Sequence, residues 1–387
     1  MWSVAARPTG GETINLVKQV DPFTGNDRYG DVWGEGNFAY IGSFQGSGVG
    51  IIDISNPATA FLAAHYNPAS GGQFKDVKVQ GNIGYFASDN GGGVHIVNLA
   101  NPATPSLISQ VTSSNGGYNN IHNIFVADGF LYEADSQTNV VKVIDVRTPA
   151  SPSFVRDITT TTNASSFIHD ITVLNNRLYT SGFDGKTDIY DVTSIDTTAP
   201  TLLGTVDTSV TNGTNNHSNW VSEDGNLLAI AREINDGDVT LWDVSDPNNP
   251  VLKSTINQST LGISAFSPHN PILYKDAVNT FLYVSWYEAG VVILNVDDPV
   301  NPVLVGTFDT FPGPVSGGNG NWGVYPFLGA EKILLSDLDG GLFIVDASLV
   351  VPEPSTLTLM GLAVGSMFCR RSRQAWGGVR RRVSSLK

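Results

Sequence analysis

Three observations predict an all-β chain folded as a seven-bladed β-propeller. A short apolar run ending in Asp or Asn recurs seven times, about 45 to 52 residues apart. Of 387 residues only 15% are charged, while 41 are Gly and 20 are Pro, which suits many short elements joined by tight turns. No stretch shows helical periodicity over three turns. Hydrophobic residues at 41%, with 10% aromatics, suffice for a packed core.

The copies run in order. They are Gly50-Ile51-Ile52-Asp53-Ile54, His95-Ile96-Val97-Asn98-Leu99, Lys142-Val143-Ile144-Asp145-Val146 and Asp188-Ile189-Tyr190-Asp191-Val192. Thr240-Leu241-Trp242-Asp243-Val244, Val292-Ile293-Leu294-Asn295-Val296 and Leu342-Phe343-Ile344-Val345-Asp346 complete the set. Turns with Pro follow most of them, as at Asn56-Pro57, Asn101-Pro102, Thr148-Pro149, Asp246-Pro247 and Asp298-Pro299. Proline fixes φ there, and Asn or Asp bonds the turn with its side chain. Between copies lie two further β-rich runs, such as Ile124-Phe125-Val126 and Phe130-Leu131-Tyr132, split by the hairpin dipeptide Asp128-Gly129. Each repeat therefore supplies about four strands, which bury both faces only when packed radially.

The seventh repeat leaves the pattern after Asp346 and lacks an outermost strand. The run Ile14 to Val20 has the character of one, so residues 13–20 are expected to complete blade seven and cover its edge. The expected organisation is an N-terminal arm over 1–12, the propeller over 13–348 and a tail over 349–387. Trp2 to Pro8 has the look of the end of a leader and its cleavage site, so the true start is expected upstream.

Charge divides the chain. Lys plus Arg number 21 against 36 Asp plus Glu, a net charge of −15. From Arg370 to Lys387 there are seven basic residues and no acid, so the body is more acidic still. An acidic body excludes nucleic acid as partner, because a phosphate backbone needs a stripe of Lys and Arg. The single Cys, Cys369, excludes an internal disulfide framework and a Cys-based zinc cage.

The chemistry-bearing pattern is a register of histidines. His122, His169, His217 and His269 stand just before the first strands of blades three to six, with spacings of 47, 48 and 52. Gly30, Lys75 and about Trp322 hold the matching places in the other blades. First strands line the central channel, and second strands return to the same face. At their ends stand Asp89, Glu133 with Asp135, Asp184, Glu233, Glu288 and Asp337. A ring of imidazoles and carboxylates at one channel mouth is expected. It admits two readings. In one it binds a ligand or a divalent metal such as Zn, Cu, Fe or Mn, the candidate cofactor. In the other each His bonds a neighbouring blade. Too wide a ring for one ion leaves a His pair with an acid as the realistic site, His169 and His217 being central. Trp220, Trp286 and Trp322 are candidates for ligand stacking or for packing between blades.

His122-Asn123-Ile124, His169-Asp170-Ile171, His217 to Gly225, Pro268-His269-Asn270 and Trp322 to Phe327 resemble the LVIVD repeat, and with it the choice-of-anchor B family. The resemblance spans about residues 13–348 and is most specific from Tyr118 onward. It implies an exported, surface-exposed propeller and no established reaction.

The tail resembles a PEP-CTERM sorting signal. Pro352-Glu353-Pro354 precedes an apolar run from Leu357 to Cys369, followed by Arg370-Arg371-Ser372-Arg373. The apolar run enters the bilayer and the Arg cluster stays cytoplasmic, which holds the motif outside for a sorting protease of the exosortase type. At 13 residues the run is shorter than the roughly 20 of a permanent spanning helix, which fits transient insertion. The expected function is an exported, cell-surface binding module for a protein or polysaccharide at the channel mouth. The alternative is a metal-dependent enzyme, oxidase- or lyase-like, built on the His and carboxylate ring. No nucleophile elbow or Cys/His dyad marks a reaction.

Overall fold

The computed structural model describes residues 14–23, 27–68, 72–161, 166–210 and 213–351. The N-terminal arm, the sorting residues Pro352, Glu353, Pro354, Arg370 and Arg371, and the apolar run before the Arg cluster lie outside them. Within the described residues the chain forms seven four-stranded antiparallel sheets. Their inner strands are Tyr29–Glu35, Phe74–Gln80, Asn123–Ala127, Ile168–Leu174, Asn216–Val221, Pro271–Lys275 and Asn321–Tyr325. Each touches the next around a circle, and the last meets the first.

Blade seven closes as expected. Asn15–Val20 pairs antiparallel with Gly341–Asp346, with Asn15 opposite Asp346 and Val20 opposite Leu342. Ile14 is buried beside Val350 and Phe343, which fixes the start of this strand in the core.

The Asp or Asn that ends each repeat run has a local cause. Asp53, Asn98, Asp145, Asp191, Asp243, Asn295 and Asp346 each accept the backbone N–H two residues on, at 2.8 to 3.2 Å. The side chain so turns the chain out of the third strand into the Pro-containing loop. In blades one to six the register then slips by one residue between third and fourth strands, as between Ile51 and Ile52. Asp128 and Gly129 turn the hairpin of blade three with φ of 51° and 80°.

The core is a series of layers between blades. Tyr132 and Val143 of blade three pack on Ile171 and Val173 of blade four, and Val32 and Ile41 of blade one pack on Leu334 and Ile344 of blade seven. Blades approach closely: a Cβ at Gly42 would lie 1.8 Å from the Phe74 carbonyl oxygen of the next blade.

Candidate functional site

The histidine register corresponds to one backbone feature. In blades four and five the pairing of first and second strands skips a residue, and the skipped residues are His169 and His217. Lys75 and Trp322 are skipped in blades two and seven. A bulge leaves its extra residue unpaired and re-aims the side chain, here across the channel mouth. His122 directly precedes its inner strand, and Asn270 separates His269 from the strand that begins at Pro271.

These side chains form a closed circuit. Ring centroids lie 4.2 Å apart for His122 and His169, 4.0 Å for His169 and His217, 4.4 Å for His217 and His269, and 3.9 Å for His269 and Trp322. Gly30 has no side chain to offer. Phe44 from the same blade fills the gap, 4.9 Å from Trp322, and the Lys75 ammonium lies 4.8 Å above its ring. Lys75 pairs with Asp89, which stands 3.5 Å from His122 and completes the circle. Although burial opposes it, the contacts with His122 and Lys75 hold the Asp89 carboxyl low.

Two of the interior imidazoles lean on the next blade. His217 Nδ1 is 3.3 Å from the His269 carbonyl, and His269 Nδ1 is 2.8 Å from that of Trp322. Burial, helped by neighbouring imidazoles, pushes His169 and His269 well below the usual range, and burial lowers His217. At His269 the expected structural role and a free ring nitrogen coexist, because the Trp322 carbonyl engages Nδ1 and leaves Nε2 without a partner.

Of the carboxylates assigned to the mouth, Asp89 meets His122 and Glu233 meets His217. Glu233 Oε2 lies 3.2 Å from His217 Nε2, and its other oxygen accepts the Tyr287 hydroxyl. Tyr287 holds a φ of 31°, in the left-handed region that aromatic residues rarely enter. The other five are engaged by loop residues, some in their own hairpin and some in neighbouring connections. Asp135 accepts the N–H groups of Gln137 and Thr138, and Asp184 accepts Lys186. Glu288 accepts Phe266, Ser316 and Gly317, and Asp337 accepts Thr310, Asp339 and Gly340. Glu133 is buried and accepts Tyr118 N–H at 3.1 Å. Second-strand ends begin hairpins and inter-blade loops whose N–H groups need acceptors, so these acids turn towards backbone.

The tryptophans also separate. Trp322 stands in the circuit. Trp220 lies further along the channel, 5.8 Å from Phe327 and 6.0 Å from Phe125. Trp286 is fully buried in the layer between blades five and six, so a ligand cannot stack on it.

Beneath the circuit lies a polar layer that the sequence reading passed over. Lys78 pairs with Asp76, and with Asp31 at 3.0 Å. Asp76 also accepts Ile124 N–H at 2.7 Å and Asn123 Nδ2 at 3.1 Å. Asp170 faces the same channel. Burial raises Asp31 to about 6, with Lys78 opposing, and raises Asp170 well above its ordinary value. The signal was present in Gly30-Asp31, Lys75-Asp76, His122-Asn123, His169-Asp170 and His269-Asn270. A polar residue follows the circuit position in every blade but the seventh, where Gly323 follows Trp322. A cavity of about 20 Å³, room for a water or a small ion, lies between the two layers. A concavity of about 380 Å³ lies elsewhere, between blades five and six near Ser222, Asp224, Lys253 and Tyr274.

Glu133 supplies a test of the electrostatics. Burial pushes its carboxyl from 4.5 up to about 8. Between those values the folded chain binds a proton that the unfolded chain releases, so this contribution to stability falls as pH rises. At about 1.36 kcal/mol per pH unit the ceiling is about 5 kcal/mol. Glu133→Gln is expected to remove that slope and to be the more stable form at pH 9. Urea unfolding at pH 5 and pH 9 measures it, and parallel pH profiles for the two forms would refute it.

The comparisons agree with the architecture. Residues 350–374 match the PEP-CTERM protein-sorting motif, which marks the protein for export and surface sorting through recognition by an exosortase-type system. Among the described residues no helix is long and apolar enough to cross a membrane. None of the curated proteins searched matches. Among solved structures, the computationally designed Ika8 protein is similar in fold, with a TM-score of 0.56 at 11% identity, covering 84% of this chain and 99% of that one. The LVIVD repeat matches residues 29–68, 71–113, 120–160, 220–258 and 278–310. Blades one and two are thus matched although they lack the His, so the repeat signal resides in strands and turns rather than in the mouth. With half of the sequence matched, the chain belongs to the LVIVD-repeat family.

Proposed function

We propose that this exported propeller is a binding module that presents its circuit face to an extracellular polysaccharide, after transient insertion of the tail in the membrane during sorting. One observation carries the reading. Phe44, Phe167, Phe183, Phe266 and Trp322 stand half-buried around the mouth. Phe167 and Phe183 stack at 4.4 Å, and Phe183 continues onto His169 at 5.3 Å. Partly exposed aromatic faces beside carboxylates suit sugar rings, whose C–H faces stack while their hydroxyls find acceptors. The aromatic belt also belongs to rigid strand ends, so little order is lost on binding.

The test uses the full chain and surface polysaccharide from the producing cell, before and after protease digestion. Retention on digested material is expected, weakened about tenfold by Trp322→Ala or Phe183→Ala, or roughly 1.4 kcal/mol. Retention that vanishes with protease points to a protein ligand instead. Retention indifferent to both substitutions removes the mouth from the reading.

A further inference from the structure

We infer that His217, Glu233 and His269 form a binding site for a divalent transition-metal ion. Among the described residues, theirs is the group of three such side chains whose ligand atoms lie within 4.8 Å of one another. Proximity alone would be weak. The tautomers make the argument.

His269 Nδ1 lies 2.8 Å from the Trp322 carbonyl, and His217 Nδ1 lies 3.3 Å from that of His269. A carbonyl only accepts, so the close contact at His269 places that ring's hydrogen on Nδ1. In a neutral imidazole that leaves Nε2 with a lone pair and no proton. His269 Nε2 has no hydrogen-bond partner, in a residue only 2% exposed. His217 Nε2 lies 3.2 Å from the Glu233 carboxylate, which a metal ion would bridge in place of that nitrogen's hydrogen. A buried, unpartnered imidazole nitrogen, a second imidazole and a carboxylate thus converge on one place, which is the donor set a cation would complete.

The geometry suits an ion. Ligands about 2.1 Å from a tetrahedral centre stand about 3.4 Å apart, close to the His217–Glu233 separation. Nδ1–H donating to a backbone carbonyl is the usual outer support of a metal-bound imidazole, because it fixes ring and tautomer. The Tyr287 hydroxyl plays that part for Glu233, holding the oxygen turned from the imidazoles. Two nitrogens and one oxygen favour Zn²⁺ and its first-row neighbours over Ca²⁺ or Mg²⁺, which take oxygen ligands. Glu233 is partly exposed, so the ion enters from the mouth and retains an open position for water. Blades five and six supply all three ligands, and the site does not rest on the polysaccharide reading.

The experiment adds Zn²⁺ to chelator-stripped full-length protein and follows binding by calorimetry. X-ray absorption then reads the ligand set of the loaded wild type. One Zn²⁺ per chain is expected, with two imidazoles in the absorption spectrum. Affinity is expected to fall at least tenfold in His269→Gln and in Glu233→Gln. His122→Gln, two blades away from the nearest ligand, is expected to match wild type. Absence of stoichiometric uptake overturns the site. So does an absorption spectrum with no imidazole, or an affinity that depends on His122 and not on His269. The spectrum needs no variant, so a folding defect in any of them leaves the test intact. Because glycan retention is read without metal, its result and this one fail separately.

Discussion

Replacing Lys78 by Met is expected to destabilise the propeller by about 3–5 kcal/mol near pH 8. The methionine keeps the volume and removes the cation. Lys78 is buried and held above its usual range by Asp76 and Asp31, against the opposing effect of burial. Without it Asp31, Asp76 and Asp170 face one another in a channel layer with no positive charge between them. Asp76 cannot easily turn away, since it also accepts Asn123 and Ile124 from the next blade. The pH dependence identifies the cause. Carboxyls whose folded values lie above their unfolded ones contribute stability at low pH that is lost as pH rises through the folded value. Removing the cation raises those folded values further, so the variant's deficit is expected to grow from pH 5 to pH 8. Urea unfolding at the two values measures it. A deficit that is equal at both, or below 1 kcal/mol at pH 8, would show that the charges are not the reason.

Removing residues 1–20 is expected to cost about 4 kcal/mol or more and to make the protein self-associate. Ile14 alone buries a whole side chain, worth about 2 kcal/mol, and Val17 and Val20 pack by half on the layer between blades one and seven. The larger consequence is topological. Gly341–Asp346 would lose its outer partner and present a row of unpaired N–H and C=O groups, a template for another chain. Light scattering and thermal unfolding read both effects. Ile14→Asp, which keeps the strand but not its anchor, is expected to lose stability with less self-association. A truncated chain that unfolds at the wild-type temperature as a monomer would show that this strand does not close the ring.

The architecture was legible because each repeat writes its own turn. Asp53 and its six counterparts are visible in the sequence, and each makes the same bond to the second N–H beyond it. Closure was legible by subtraction, since the seventh run lacked a fourth strand. The mouth was legible in part. The spacing of the four histidines placed them on one circle, and the circle is there. Which acids would face them was not legible. A carboxylate at a strand end is drawn to the nearest unpaired N–H groups, and whether those lie in its own loop depends on loop shape. Glu288 turned to Phe266, Ser316 and Gly317, while Glu233 was drawn towards Tyr287 of the next blade. The Lys78 layer was hidden by the bulge. Strict alternation sends neighbours to opposite faces, so His169 and Asp170 should not share a channel. The extra residue breaks alternation at that point and admits both.

The same bulge separates what the scaffold demands from what the mouth contains. Gly30, Lys75, His169, His217 and Trp322 stand where the pairing shifts in five of the blades, and the ladder on either side proceeds without them. A slot that strand pairing skips can be rewritten at little cost to folding. Relatives built on this frame are therefore free to exchange imidazole for ammonium, indole or nothing, blade by blade, and so to diversify what they recognise while the wheel beneath stays the same.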